Sequence, residues 1–234
     1  TPWEGFEKID QEDAKGFALS TKKSGVGVVS LISHSVAGAQ RETRFDQNLE
    51  EIFETHIDPR KPFEFTKFIA YAATSEADND PPKERALIAI QDAKAAGFDT
   101  LCNEQREFLS QFWHGAETSI EGDQRLDTAL KFCTFHILQG CGRDDATSIG
   151  AKGQTGEGYE GHYFWDAEIF SLPRLLYSAP DMARAMLLYR FHKLDEARHN
   201  AKVQGHKSGA LFPWRTISGR ECSCLLYTSD AADD

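Results

Sequence analysis

The sequence predicts a mainly α-helical chain with a β part. Residues 1–74 read as the last strands of a sheet domain, 75–118 as a helical linker, and 119–223 as the first helices of a helical barrel. Three observations predict this. Short β-rich runs bounded by Gly and Ser are confined to the first third. A polar, Pro-containing stretch, SEADNDPP at 75–82, follows them. Beyond it, apolar residues recur at the helical period and long loops separate the helices.

Residues 16–36, GFALSTKKSGVGVVSLISHSV, place Val26, Val28 and Leu31 in strands. Residues 62–74 give another strand, with Phe63 and Phe65 alternating against Glu64 and Thr66. The charged segment between them, ending at Asp58-Pro59, reads as strand and turn. Asp80 followed by Pro81 predicts a helix N-cap with proline at the first position. That helix runs to Gly97, with Ala86, Leu87, Ile90, Ala93 and Lys94 on or beside one face. Asp99 caps a second helix carrying Phe108, Leu109, Phe112 and Trp113. Asp123 opens a third, with Leu126, Leu130, Cys133 and Ile137 in period, ending at Gly140 and Gly142. A Gly-rich loop spans 142–161, and a short helix interrupted near Pro173 follows. The last helix is expected to run unbroken from Ser178-Pro180 to Gly205, buried on two stripes. One holds Leu187, Phe191, Leu194 and Arg198; the other holds Met182, Met186 and Tyr189.

Composition excludes several classes of function. The 234 residues are 40% hydrophobic and 27% charged, enough apolar material for a soluble core. The formal net charge of −11 argues against a nucleic-acid backbone as partner. Apolar runs are too short to span a bilayer, so no membrane partner is expected. With no basic start or apolar signal segment, the visible sequence points to the cytoplasm. The cysteines lack zinc spacing and read as reduced thiols. Residues 224–234, CLLYTSDAADD, resemble the translated read-through of a library adapter and are expected to be foreign to the fold.

The Gly-rich loop contains neither a P-loop nor a dinucleotide fingerprint, so its glycines are expected to serve turns and close approach. His192, His199 and His206 are spaced seven apart, too far for one ion without other ligands, so no metal is expected. The cluster with chemical promise is Tyr159, His162, Tyr163, Phe164, Trp165, Asp166 and Glu168. An indole stacks on the C–H face of a sugar, and a carboxylate accepts two hydroxyl protons. Trp165 and Asp166 supply both at one point. The plainer alternative makes Trp165 a core residue and Asp166 an N-cap. A second aromatic cluster, Phe212, Pro213, Trp214 and Arg215, lies near Glu221 and reads equally as a pocket wall or a packed turn.

KGQTGEGYEGHYFWDAEIFSLP at 152–173 closely resembles the central region of glycoside hydrolase family 65, which holds maltose, trehalose, kojibiose and nigerose phosphorylases. The resemblance continues through LLYRFHKLDEARHNAKVQGHKSGALFPWRTISGRECS to residue 223, and ALKFCTFHILQ and NEQREFLSQFW fit it too. FPWRTISG looks most like the kojibiose-phosphorylase branch. The resemblance implies the end of an N-terminal β-sandwich, a helical linker and the start of an (α/α)6 barrel. It implies that Trp165 and Asp166 bind the non-reducing glucose of an α-linked glucose disaccharide. Inorganic phosphate would be co-substrate, with no further cofactor and no metal.

The implied reaction is inverting phosphorolysis to β-glucose 1-phosphate and a free sugar. The family's acid-catalyst glutamate sits in a later GPDE-like segment beyond this sequence, so no catalytic residue is expected here and the piece should be inactive alone. Arg220 departs from the family, which usually carries an acid before Glu221. Family members are often homodimers, the assembly implied for the full-length protein. A hydrolase of the same family and a non-catalytic sugar-binding protein remain alternative readings.

Overall fold

The computed structural model describes residues 3–12, 14–22, 25–45, 48–74, 80–156 and 158–223. The chain divides into two compact units, Thr1–Arg106 and Glu107–Asp234. The expected foreign segment 224–234 lies outside the described residues.

The first unit is built on a four-stranded antiparallel sheet in the order β1-β2-β3-β6 (Trp3–Asp10, Lys15–Thr21, Gly27–Val36 and Phe65–Ala73). A hairpin of β4 (Gln40–Phe45) and β5 (Leu49–Glu54) occupies the charged segment. Alternation along β3 sends Val29, Leu31 and Ser33 to the buried face. Helix α1 (Pro82–Ala96) lays Ala86 and Ile90 against them, with Ile9 and Phe68. Burying Leu31 or Ile90 stabilises by about 2 kcal/mol each. Phe63 lies before β6, and along that strand Phe68 and Ala70 face the core while Ile69 and Tyr71 face outward. Glu51 of β5 is buried against His34 of β3 at 2.8 Å and also pairs with Arg41 of β4.

The start of α1 differs from expectation by one residue. Pro81 is the N-cap and Pro82 opens the helix, with no side-chain cap bond. A proline at the cap forgoes an N–H that would otherwise be orphaned, so the Asp80 cap is not needed.

Helix α2 (Phe98–Ala116) carries the chain into the second unit. There Phe112 and Ala116 pack with Leu138 of α3 (Gln124–Gly140), flanked by Phe108, Leu109 and Trp113. Asp123 caps α3 through Leu126 N–H at 3.0 Å, as its position predicts. The buried face of α3, however, is Thr134 and Leu138, while Leu126 and Cys133 are exposed. The periodic stripe was real, but the packing surface lies one position round from it.

The expected last helix is two helices. Helix α5 (Pro180–His192) and α6 (Leu194–Val203) meet at Lys193, which has φ −96° and ψ 16°. No Gly or Pro marks the break. Within α5 only one of the two stripes is buried: Met186 and Tyr189 are fully covered, while Leu187 and Phe191 are exposed. Nor does Pro173 interrupt its helix. It sits in the first turn of α4 (Leu172–Ser178), where proline is tolerated, and the irregularity is a π-helical turn, Ala167–Ser171, just before it.

Candidate functional site

The Gly-rich loop begins with a close approach. A Cβ on Gly142 would sit 2.5 Å from the Thr147 carbonyl oxygen, so only glycine fits while its N–H donates to Ser148. At its far end a single 3₁₀ turn, Tyr159–Gly161, holds two non-glycine residues in the left-handed region, Tyr159 at φ 52° and Glu160 at φ 53°. Such backbone costs about 1–3 kcal/mol per residue and persists only where its surroundings enforce it. The enforcing contacts are present. Arg215 Nη2 donates to Glu160 at 2.8 Å, and His162 Nδ1 lies 2.8 Å from the Tyr159 carbonyl.

The chain then forms a two-residue strand, β7 (Tyr163–Phe164), paired antiparallel with β8 (Arg215–Thr216). This pairing joins the two aromatic clusters that lie about fifty residues apart in sequence. Trp214 stands edge-on to Phe164 at 5.5 Å and to Trp165 at 5.6 Å. T-shaped packing is a favoured arrangement of aromatic rings and orients the indole planes relative to one another. Trp165 is 43% exposed, so it is not a core residue. Asp166 begins the π turn with αR geometry and makes no cap bond. Of the plain alternative, the core tryptophan does not hold, while Asp166 does occupy the N-cap position of the π turn, without a side-chain cap bond.

Three carboxylates near Trp165 have other commitments. Glu160 pairs with Arg215. Glu168 accepts a two-pronged contact from Arg190, Nε to Oε1 at 2.8 Å and Nη2 to Oε2 at 3.0 Å. Glu221 accepts from the Trp214 N–H at 2.8 Å, the Arg215 N–H at 3.3 Å, and the Ser223 N–H and hydroxyl at 3.0 and 2.6 Å. Burial pushes Glu221 up, but these donors outweigh it and hold the carboxyl below its ordinary value. Glu157, another acid near the motif, lies outside the described residues.

Sequence reasoning missed the role of Arg190 and the fastening of the Trp214 loop by Glu221. An arginine on an otherwise apolar helix face was the available signal for the first. Among the described residues no group of three or more His, Cys, Asp or Glu is placed to hold a metal ion, and no helix is long and apolar enough to cross a membrane. A cavity of about 390 Å³ lined by Arg198, Lys202 and His206 shares no residue with the Trp165 cluster.

The left-handed turn, the part-exposed indole of Trp165 and the Asp166 carboxylate without a cap bond lie together in the second unit. The chain belongs to glycosyl hydrolase family 65: residues 3–112 match that family's N-terminal domain and residues 131–232 its central catalytic domain. It is 43% identical over 226 residues to the α,α-trehalose phosphorylase of Thermoanaerobacter brockii, covering 94% of this chain and 29% of that protein. It is 36% identical over 212 residues to the kojibiose phosphorylase of Caldanaerobacter subterraneus subsp. tengcongensis, covering 90% of this chain and 27% of the relative. A solved structure of a candidate kojibiose phosphorylase from the human microbiome superposes with a TM-score of 0.77 at 25% identity, over 95% of this chain and 30% of that one. The chain thus spans under a third of the length of these relatives.

Proposed function

We propose that the protein containing this chain is an inverting phosphorylase of α-linked glucose disaccharides, releasing β-glucose 1-phosphate and a free sugar. In this reading Trp165 stacks on the glucose ring and Asp166 accepts two of its hydroxyl protons. The pair orients the glucosyl unit for in-line attack, and phosphate, already anionic, is a nucleophile that needs no general base. The observation that carries the reading is the exposed Trp165 beside Asp166 with no cap bond.

A proton must still reach the leaving oxygen. Glu160 and Glu168 are held by arginines, and both oxygens of Glu221 accept from the Trp214–Ser223 loop. In line with the family resemblance, we place the acid outside the described residues and expect the chain alone to bind sugar without turning it over. The test titrates trehalose, kojibiose and maltose into the chain by tryptophan fluorescence. Asp166→Asn should weaken binding at least about tenfold, the loss of roughly one charge-assisted pair. Equal binding by the variant refutes the site, and phosphate-dependent turnover by the chain refutes the placement of the acid. In the full-length protein, loss of activity without phosphate separates phosphorolysis from hydrolysis.

A further inference from the structure

The geometry points to Arg190, acting through Glu168, as a positioning residue that sets the orientation of Trp165 and Asp166. The inference rests on the reading of those two residues as the glucose-binding pair.

Trp165 and Asp166 sit between a two-residue strand and a π-helical turn, and neither element is stable by itself. Two successive residues of α5 hold them from both sides. Tyr189 stands edge-on to Tyr163 of β7 at 5.3 Å and donates its hydroxyl to the Ile217 carbonyl at 2.9 Å. Arg190 grips Glu168 with both prongs of its guanidinium. Adjacent helical residues diverge by about 100°, which lets one helix reach both flanks of the motif.

Glu168 is coupled directly to the tryptophan, since its N–H donates to the Trp165 carbonyl at 3.1 Å. A carboxylate held at two oxygens can neither rotate nor slide, so the peptide that carries Trp165 and Asp166 is fixed with it. The pair is also largely out of water, with side-chain exposures of 10% for Arg190 and 18% for Glu168. Replacing such a pair with apolar groups of similar volume is often neutral for stability. Its place beside the π turn is accounted for by geometry. Sequestering Glu168 also leaves Asp166 as the carboxylate of this turn with no cap bond.

The test uses the 234-residue chain and two variants, Glu168→Leu/Arg190→Met, which keeps volume and removes the fork, and Arg190→Lys, which keeps the charge and removes the second prong. The readout is the indole N–H resonance of Trp165 without sugar, with Trp113 as internal control. Both variants should melt near the parent temperature, shift the Trp165 resonance, leave that of Trp113 in place, and weaken glucoside binding about fivefold. An unmoved Trp165 resonance overturns the inference. So does a shift of Trp113 alongside it, which would mean a general loosening. Failure of the underlying reading appears elsewhere: Asp166→Asn in the parent chain would then leave sugar binding unchanged, whatever the resonances do.

Discussion

Replacing Glu221 with glutamine tests whether one carboxylate fastens the loop that brings Trp214 to Trp165. Oε2 accepts from the Trp214 N–H and Oε1 from Arg215 and twice from Ser223, so every neighbour is a donor. An amide offers one acceptor oxygen. Its NH2 must then face either the Trp214 N–H or the three donors on the other side. The smaller loss is the Trp214 bond, and the remaining three change from charge-assisted to neutral. Neutral bonds contribute about half as much as those to a charged group. Glu221 is partly open to solvent, which screens the difference, so we set the total at about 2 kcal/mol. That corresponds to roughly 30-fold more frequent opening of the loop. Amide hydrogen exchange at Trp214 reads this directly, with Thr134 of α3 as reference. Protection should fall about 30-fold at Trp214 and stay level at Thr134. A change of less than about threefold would refute the assignment of Glu221 as the fastener. The pH dependence has a fixed sign. The folded value of Glu221 is depressed, so its contribution is full above the ordinary glutamate value and is lost as pH falls through the lowered folded value.

Other outcomes are expected. Gly16→Ala should unfold the sheet unit or cost about 3 kcal/mol or more, seen as loss of β signal in circular dichroism. Its Cβ would lie 1.9 Å from the Ser30 carbonyl oxygen, and the neighbouring atoms are backbone of the paired strand. Burial, opposed by Glu51 and aided by Lys67 and Arg41, holds His34 below the ordinary histidine value. The sheet unit should therefore melt lower as pH drops from about 7 to about 5, because the unfolded chain takes the proton more readily. His34→Gln should flatten that step, and an unchanged step would remove His34 from the account. Burial raises the Cys141 thiol to about 11, against a smaller pull from Arg143, so iodoacetamide at pH about 8 should label the exposed Cys133 and Cys222 well before Cys141. Rapid labelling of Cys141 by mass spectrometry would show that its helix end opens.

What lay open in the sequence was local. The β-rich run around Leu31, the Ala86–Ile90 face of α1, the Phe108–Trp113 stripe and the Asp123 cap depend on neighbours within a few residues. The juxtaposed Trp165 and Asp166, and the long motifs around them, were likewise readable, because the chemistry of adjacent side chains needs no fold to be recognised. Tertiary structure decided the rest. Leu126 and Cys133 follow the period of α3, yet the buried face is Thr134 and Leu138, since periodicity marks a stripe and only a partner selects which side is covered. The break at Lys193 has no Gly or Pro to announce it. Lys193 is itself 8% exposed there, and a Cβ on Gly219 would stand 3.0 Å from its side chain, a contact across twenty-six residues that no local propensity encodes. The site obeys the same division. Sequence supplied the adjacent Trp165 and Asp166, but the meeting of Trp165 with Trp214 and of Glu168 with Arg190 required the chain to fold back on itself. Pairings over that separation arise from packing and desolvation of the whole unit, and their partners are therefore legible only in three dimensions.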